Sequence, residues 1–94
     1  MARAGADALV QLASLLVELR EIPDLNEIKP GIFYVRRLPM LHFHEDETGI
    51  VADLKCVTPV PAGFDRFPAN SASERRTLLK ETVARCGQLR QKRQ

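Results

Sequence analysis

Cysteine is scarce in this chain, and its two cysteines, Cys56 and Cys86, lie far apart in the sequence. Two cysteines are too few for a disulfide framework, and their separation excludes a CxxC metal or redox motif. Each falls on the apolar face of a predicted element, so we interpret both as buried thiols. This use of cysteine is typical of a protein from the reducing cytoplasm.

Sequence motifs of nucleophilic and phosphate chemistry are missing as well. The chain has no glycine-rich phosphate loop and no GxSxG elbow, and its serines occupy helix or cap contexts. Lys55 precedes Cys56, but successive strand residues point to opposite faces, so the lysine does not activate this thiol. These absences favour a binding module over an enzyme.

No apolar run is long enough to cross a membrane. The longest candidate, ALVQLASLLVEL near the N-terminus, is interrupted by Gln11 and falls well short of the roughly 20 residues that a bilayer requires. An early Asp7 and a single preceding arginine, Arg3, argue against a secretory signal. We therefore expect a cytoplasmic protein without a membrane anchor.

Aromatic residues make up only 5% of the chain, and the net charge is only +2. The predicted sheet offers Tyr34 as its one aromatic residue on the face away from the core, whereas an RNA-stacking platform normally presents two or three. The basic residues are concentrated near the C-terminus. These features argue against a nucleic-acid partner.

The composition, with 45% hydrophobic and 28% charged residues, is that of one folded domain spanning residues 1–94. Leucines at helical spacing predict a helix over residues 8–20 with Asp7 as its N-cap. Ser71 followed by Glu74 is a capping box that predicts a second helix over residues 72–86. Residues 24–30 read as a polar connection, and residues 1–6 and 88–94 carry no pattern and are expected to be disordered.

Strand patterns occupy the middle of the chain. Residues 31–37, 40–45 and 50–57 are predicted strands, and residues 64–67 are a candidate fourth. These elements predict an α+β fold, a two-layer sandwich in which a three- to four-stranded antiparallel meander carries the N-terminal and C-terminal helices on one face. The opposite face of the sheet is left open, as antiparallel sheets permit.

Matching apolar residues across the strands gives a predicted register. With a loop at residues 45–48, His44 lies opposite Gly49 and His42 opposite Val51, and a bend at residues 38–40 sets Arg37 opposite Leu41. The predicted core consists of Leu12, Leu16, Phe33, Val35, Leu41, Phe43, Ile50, Leu54, Leu79 and Val83.

The same register gathers polar side chains on the open face. We interpret this face as a binding surface for a protein partner or for a second copy of the chain, with Tyr34, Val51 and the stems of Arg36 and Lys55 at its centre. The polar residues of the predicted surface are Tyr34, Arg36, His42, His44, Asp53 and Lys55.

Metal chemistry is the alternative for the same face. In a strand, the spacing His42-x-His44 points two imidazoles the same way, and Asp53 on the next strand could add a carboxylate. Two histidines and one carboxylate form a ligand set for a divalent transition metal, as in a metal-dependent enzyme or a metal sensor. A third interpretation is that the two histidines are exposed, titrate and bind nothing.

The segments LHFH, EDETG and IVADLK, followed later by FDRFPANSASE, resemble the small bacterial "luciferase-domain" proteins. The resemblance covers about half the chain and implies an α+β fold and a bacterial source. It implies no established light-emitting chemistry and no agreed catalytic residues.

Overall fold

An antiparallel sheet is the scaffold of the fold in the computed structural model, which describes residues 2–57 and 63–92. Five strands lie side by side in chain order, and a sixth, very short strand pairs separately with the middle one. The sheet is therefore a meander. The strands are β1 Ala2–Arg3, β2 Leu25–Lys29, β3 Ile32–Val35, β4 Leu38–Asp46, β5 Gly49–Lys55 and β6 Phe64–Pro68, with β1 paired to β4.

Three helices are present in the described part of the chain, α1 Ala6–Gln11, α2 Ala13–Arg20 and α3 Ala72–Lys92. The predicted helix over residues 8–20 is broken at Leu12, whose ψ of 0° interrupts the helix between α1 and α2. Gly5, not Asp7, is the N-cap, and Asp7 lies within the first turn. None of the helices in the described ranges is long and apolar enough to span a bilayer.

The capping box of α3 is confirmed. The backbone N–H of Glu74 donates to Ser71 Oγ at 3.1 Å, and the N–H of Ser71 donates to Glu74 Oε1 at 3.0 Å. The helix begins at the predicted residue but continues to Lys92 instead of ending at residue 86. At the other end of the chain, the strand β1 lies within residues 1–6, for which the sequence showed no pattern.

The core lies between the helices and one face of the sheet, which confirms the two-layer α+β class. The predicted strand count is too low, because neither the short β1 nor β2 was predicted as a strand. Leu12, Leu16 and all predicted core residues of the strands are buried, but Leu79 is only half-buried and Val83 is 47% exposed. The inward face of α3 carries Leu78 and Thr82 in place of the predicted Leu79 and Val83, and Cys86 faces inward as predicted.

The predicted connection at residues 24–30 is the edge strand β2. Leu25 is its one buried residue, so the strand shows no apolar alternation in the sequence. Glu27 fixes it to α2 and to the turn before β3, because its carboxylate accepts from Arg20 Nε at 2.6 Å and from the N–H of Gly31 at 3.1 Å.

The turn between β3 and β4 lies at residues 36–37 and not at residues 38–40. Arg36 adopts a φ of +58°, and Val35 pairs directly with Leu38. The register shifts between Phe33 and Tyr34, which leaves Met40 as the extra residue of a bulge, fully buried in the core. Arg36 therefore leaves the strand and is exposed in the turn.

The register of the β4–β5 hairpin differs from the prediction by two residues. Asp46 pairs with Gly49, so the loop is the two residues Glu47 and Thr48. Asp46 Oδ1 accepts from the N–H of Thr48 at 2.8 Å, and Gly49 takes a φ of +114°. Because a two-residue shift leaves every side chain on its own face, the predicted core and open faces of this hairpin are confirmed.

Strand β6 corresponds to the candidate fourth strand at residues 64–67 and extends through Pro68. It pairs with β5 in a register that sets Arg66 opposite Asp53 and Phe64 opposite Lys55. This strand completes the open face on the side of β5.

Both cysteines are free thiols. Cys86 is buried, as predicted, and its burial raises the pKa of its thiol to about 11. Cys56 is only partly buried, in contrast to the prediction, and Arg85 together with the Cys56 thiol lowers the pKa of Asp65.

Candidate functional site

A row of four directly paired residues crosses the open face of the sheet. Ile32 of β3 pairs with His42 of β4, His42 with Asp53 of β5, and Asp53 with Arg66 of β6. Directly paired residues of antiparallel strands project from the same face, with side chains in contact distance. His44 lies two residues along β4 and therefore projects beside His42.

Three side-chain atoms of this face converge on one point. His42 Nδ1 is 2.7 Å from His44 Nε2, which is 3.0 Å from Asp53 Oδ2. The third side of the triangle, from His42 Nδ1 to Asp53 Oδ2, is 4.0 Å. The two imidazole rings stand at 88° to each other, so their nitrogens meet without the rings stacking.

The hydrogen bonding of the three atoms is incomplete. An ionised carboxylate only accepts, and each neutral imidazole has one nitrogen that donates and one that accepts. If His44 Nε2 carries a proton, that proton is shared between His42 Nδ1 and the Asp53 carboxylate. If it carries none, its lone pair faces the carboxylate at 3.0 Å. At most one proton is therefore shared among the three atoms, although each of them can offer an electron pair.

Arg66 holds the carboxylate in place. Its Nε donates to Asp53 Oδ1 at 3.0 Å and its Nη2 to Oδ2 at 3.3 Å. Arg66 Nη1 also lies 4.0 Å from Asp46 Oδ2. Arg66 lies outside the site predicted from the sequence. Its position within FDRF places it in the candidate fourth strand. The sequence does not indicate which residue of β5 it faces, because the length of the connection between β5 and β6 does not determine their register.

The protonation states leave electron pairs available near neutral pH. Burial and the neighbouring His44 lower the pKa of His42, and the opposing effect of Asp53 is smaller. Burial by itself would raise the pKa of Asp53, but the hydrogen bond and charge of Arg66, with both histidines, hold it below its usual range. Asp53 is therefore ionised and His42 neutral at pH 7.

The site is partly shielded but reachable from solvent. The exposed fractions of the side chains of His42, His44 and Asp53 are 26%, 18% and 14%. The ring of Phe64 lies 5.2 Å from the ring of His42 and tilted by 60°, which makes an aromatic wall on one side. Lys55 Nζ stands 5.8 Å from the centre of the same Phe64 ring.

The structure brings together only part of the predicted surface. The ligand atoms of His42, His44 and Asp53 lie close together. Lys55 does not contact them directly but stands over the neighbouring ring of Phe64. Tyr34 faces the same side but pairs with Pro39. Ile32, and not Tyr34, lies beside the histidines. Arg36 lies in the turn, and Val51 is buried, so neither offers an exposed contact centre on this face.

Searches of protein-family models, of curated proteins and of solved structures find no match to this chain. The resemblance to the luciferase-domain proteins therefore stays a prediction. The site must be interpreted from its own geometry, in which one ligand atom each from His42, His44 and Asp53 lies within 4.8 Å of the other two.

Proposed function

We propose that the protein binds a divalent transition-metal ion through His42 Nδ1, His44 Nε2 and Asp53 Oδ2. The observation that carries the proposal is the convergence of these three electron-pair donors with at most one proton between them. A cation at their centre takes the place of that proton and accepts an electron pair from each atom.

The spacing of the three atoms fits a metal ion. A triangle with sides of 2.7, 3.0 and 4.0 Å has a circumscribed circle of radius about 2.0 Å, which is the length of a Zn–N bond. An ion at the centre of that circle lies within bonding distance of all three atoms, but almost in line between His42 Nδ1 and Asp53 Oδ2, so tetrahedral binding requires small shifts of these side chains. The 4.0 Å side leaves the widest gap, between His42 and Asp53.

The donor set selects a class of ion. Two imidazoles and one carboxylate suit zinc, iron(II), cobalt or nickel, whereas magnesium and calcium prefer sites made of oxygen alone. Three protein ligands leave at least one coordination position open, as in catalytic and sensory sites. We therefore propose a metal-binding domain whose ion accepts a further ligand from solvent.

Arg66 supports this arrangement from outside the ligand set. Its shorter hydrogen bond goes to Asp53 Oδ1, so Oδ2 remains directed at the histidines. Carboxylate ligands of metal sites are commonly held by such an outer hydrogen bond, which fixes their orientation. The guanidinium charge also opposes the approach of a cation, so Arg66 positions the ligand at some cost in affinity.

Zinc titration tests the proposal directly. We expect zinc to raise the free energy of unfolding by about 2.7 kcal/mol at a concentration a hundredfold above the dissociation constant, measured by thermal or urea denaturation. The imidazole signals of His42 and His44 should shift together in NMR spectra. His42→Ala should remove the stabilisation, because two ligands remain.

Glu47→Ala is the matched control for this titration. Glu47 lies exposed in the loop of the same hairpin and outside the ligand set, so its loss should leave the effect of zinc intact. A wild-type protein that zinc stabilises no more than it stabilises His42→Ala would refute the metal site.

Self-association through the open face stays a prediction. The burial of Val51 and the position of Arg36 in the turn remove two residues from its expected centre, so the geometry supports metal binding better. Sedimentation analysis tests the dimer: a single monomeric species at millimolar concentration would exclude it.

A further inference from the structure

Cationic side chains border the proposed metal site on both sides. Arg3 of β1 pairs directly with His44, Arg66 pairs directly with Asp53, and Lys55 lies two residues beyond Asp53 on the same face. Within residues 2–57 and 63–92, neither Arg3 nor Lys55 forms an ion pair with a carboxylate. Their charges are available to a ligand.

The charge of the face is unbalanced once a metal ion is present. The three cations face two carboxylates, those of Asp53 and Asp46, and Arg66 contacts both of these. A bound divalent ion adds two further positive charges in a partly desolvated position. A cluster of one sign attracts ligands of the opposite sign, so the ligand at the open coordination position should be an anion.

Arg66 retains donors for that anion. A guanidinium has five N–H donors, and Asp53 receives a hydrogen bond from two of its nitrogens. Nη1 is 4.0 Å from Asp46, too far for a hydrogen bond, and the Arg66 side chain is 46% exposed. The arginine can therefore hold Asp53 through one edge and an oxyanion through Nη1.

An aromatic surface adjoins the cations. Phe64 is 42% exposed, its ring lies beside His42, and Lys55 stands over it. An exposed ring next to a polar site offers a flat apolar contact for the organic part of a ligand.

We propose that the metal-loaded site binds a phosphate-type oxyanion that carries a small apolar group, such as an aryl phosphate monoester. One oxygen occupies the open position of the metal, the others face Arg66 and Lys55, and the apolar group lies against Phe64. A tetrahedral anion suits these contacts better than a planar carboxylate, because Arg66 on β6 and Lys55, two residues along β5 from Asp53, flank the metal at different positions. The inference rests on the proposed metal binding.

The test uses the full chain loaded with cobalt(II), whose visible absorption reports its ligands, and phenylphosphonate as the probe. Cobalt affinity is measured first, without the probe. We then expect a saturable change in the cobalt spectrum on addition of phenylphosphonate. Lys55→Gln should weaken probe binding about tenfold, as the loss of a charged contact does. Lys80→Gln, an equal change of charge on the exposed side of α3, should leave it unchanged.

Three outcomes would overturn the inference. Cobalt that binds but does not respond to millimolar phenylphosphonate would refute the oxyanion site and leave the metal site standing. If Lys55→Gln and Lys80→Gln weaken phenylphosphonate binding equally, the effect comes from net charge alone and Lys55 does not contact the anion. A chain that binds no cobalt would refute the metal site and this inference with it.

Discussion

Replacing Phe43 by alanine should lower the free energy of unfolding by about 3 to 5 kcal/mol. Phe43 is 1% exposed, lies in the middle strand of the sheet and pairs with Ala52, whose side chain is too small to fill the space it leaves. A domain of this size has about 5 to 15 kcal/mol of stability in total. Urea denaturation followed by circular dichroism should show a large fall in the midpoint.

Phe64→Ala is the matched control, because the same side chain is removed from a position that is 42% exposed at the sheet edge. Its loss should cost about 1 kcal/mol or less. If the two variants have equal midpoints, Phe43 does not belong to the packed core.

Gly49→Ala should destabilise the protein by about 3 kcal/mol, for two reasons that add. Gly49 has a φ of +114°, which an L-residue with a side chain rarely adopts. A Cβ at this position would also lie 2.5 Å from Asn70 Oδ1. That oxygen cannot simply move away, because it accepts from the N–H of Ile50 while Asn70 Nδ2 donates to the carbonyl of Ile50.

Gly63→Ala separates the two causes. Gly63 also has a positive φ, +76°, but a Cβ there would meet no atom of residues 2–57 and 63–92 within 4 Å. Its substitution should therefore cost only the backbone strain, about 1 to 2 kcal/mol. Chemical denaturation of both variants gives the difference, and equal losses would show that Asn70 yields without breaking its bonds.

The faces of the central hairpin could be predicted, but its register could not. Alternation along β4 and β5 separates the apolar residues, except Val51, from His42, His44 and Asp53 whether the loop has two or four residues. The choice between those loops depends on the bonds of Asp46 to Thr48 and on the φ of Gly49. Apolar matching does not contain that information, and the correct register brings His42 directly opposite Asp53.

The inward face of α3 was misassigned because a threonine occupies it. Thr82 is fully buried, and its hydroxyl donates to the carbonyl of Leu78 at 2.8 Å, so the burial leaves no unpaired polar group. Apolar spacing alone does not indicate this residue. It indicates Val83, which is 47% exposed. The helix itself was predictable from its capping box, since that signal is local.

Two other misses have different causes. The edge strand β2 has one buried residue, and its Glu27 is held by Arg20 and Gly31, contacts that apolar alternation does not reveal. Arg66 reaches Asp53 only through the pairing of β6 with β5. The three proposed metal ligands could be identified because they lie within one hairpin.

The two-residue loop of that hairpin also affects the order of events during folding. Short loops close at little entropic cost, and a hairpin forms in about 1 to 10 μs, well before distant elements dock. His42, His44 and Asp53 can therefore come together within one hairpin before β6 and α3 dock, in a unit that is only marginally stable by itself. Strand β6 and helix α3 follow later in the chain. If the proposed metal ion binds at that stage, it cross-links β4 and β5. Arg66 then forms its hydrogen bonds with Asp53 only after the ion is bound.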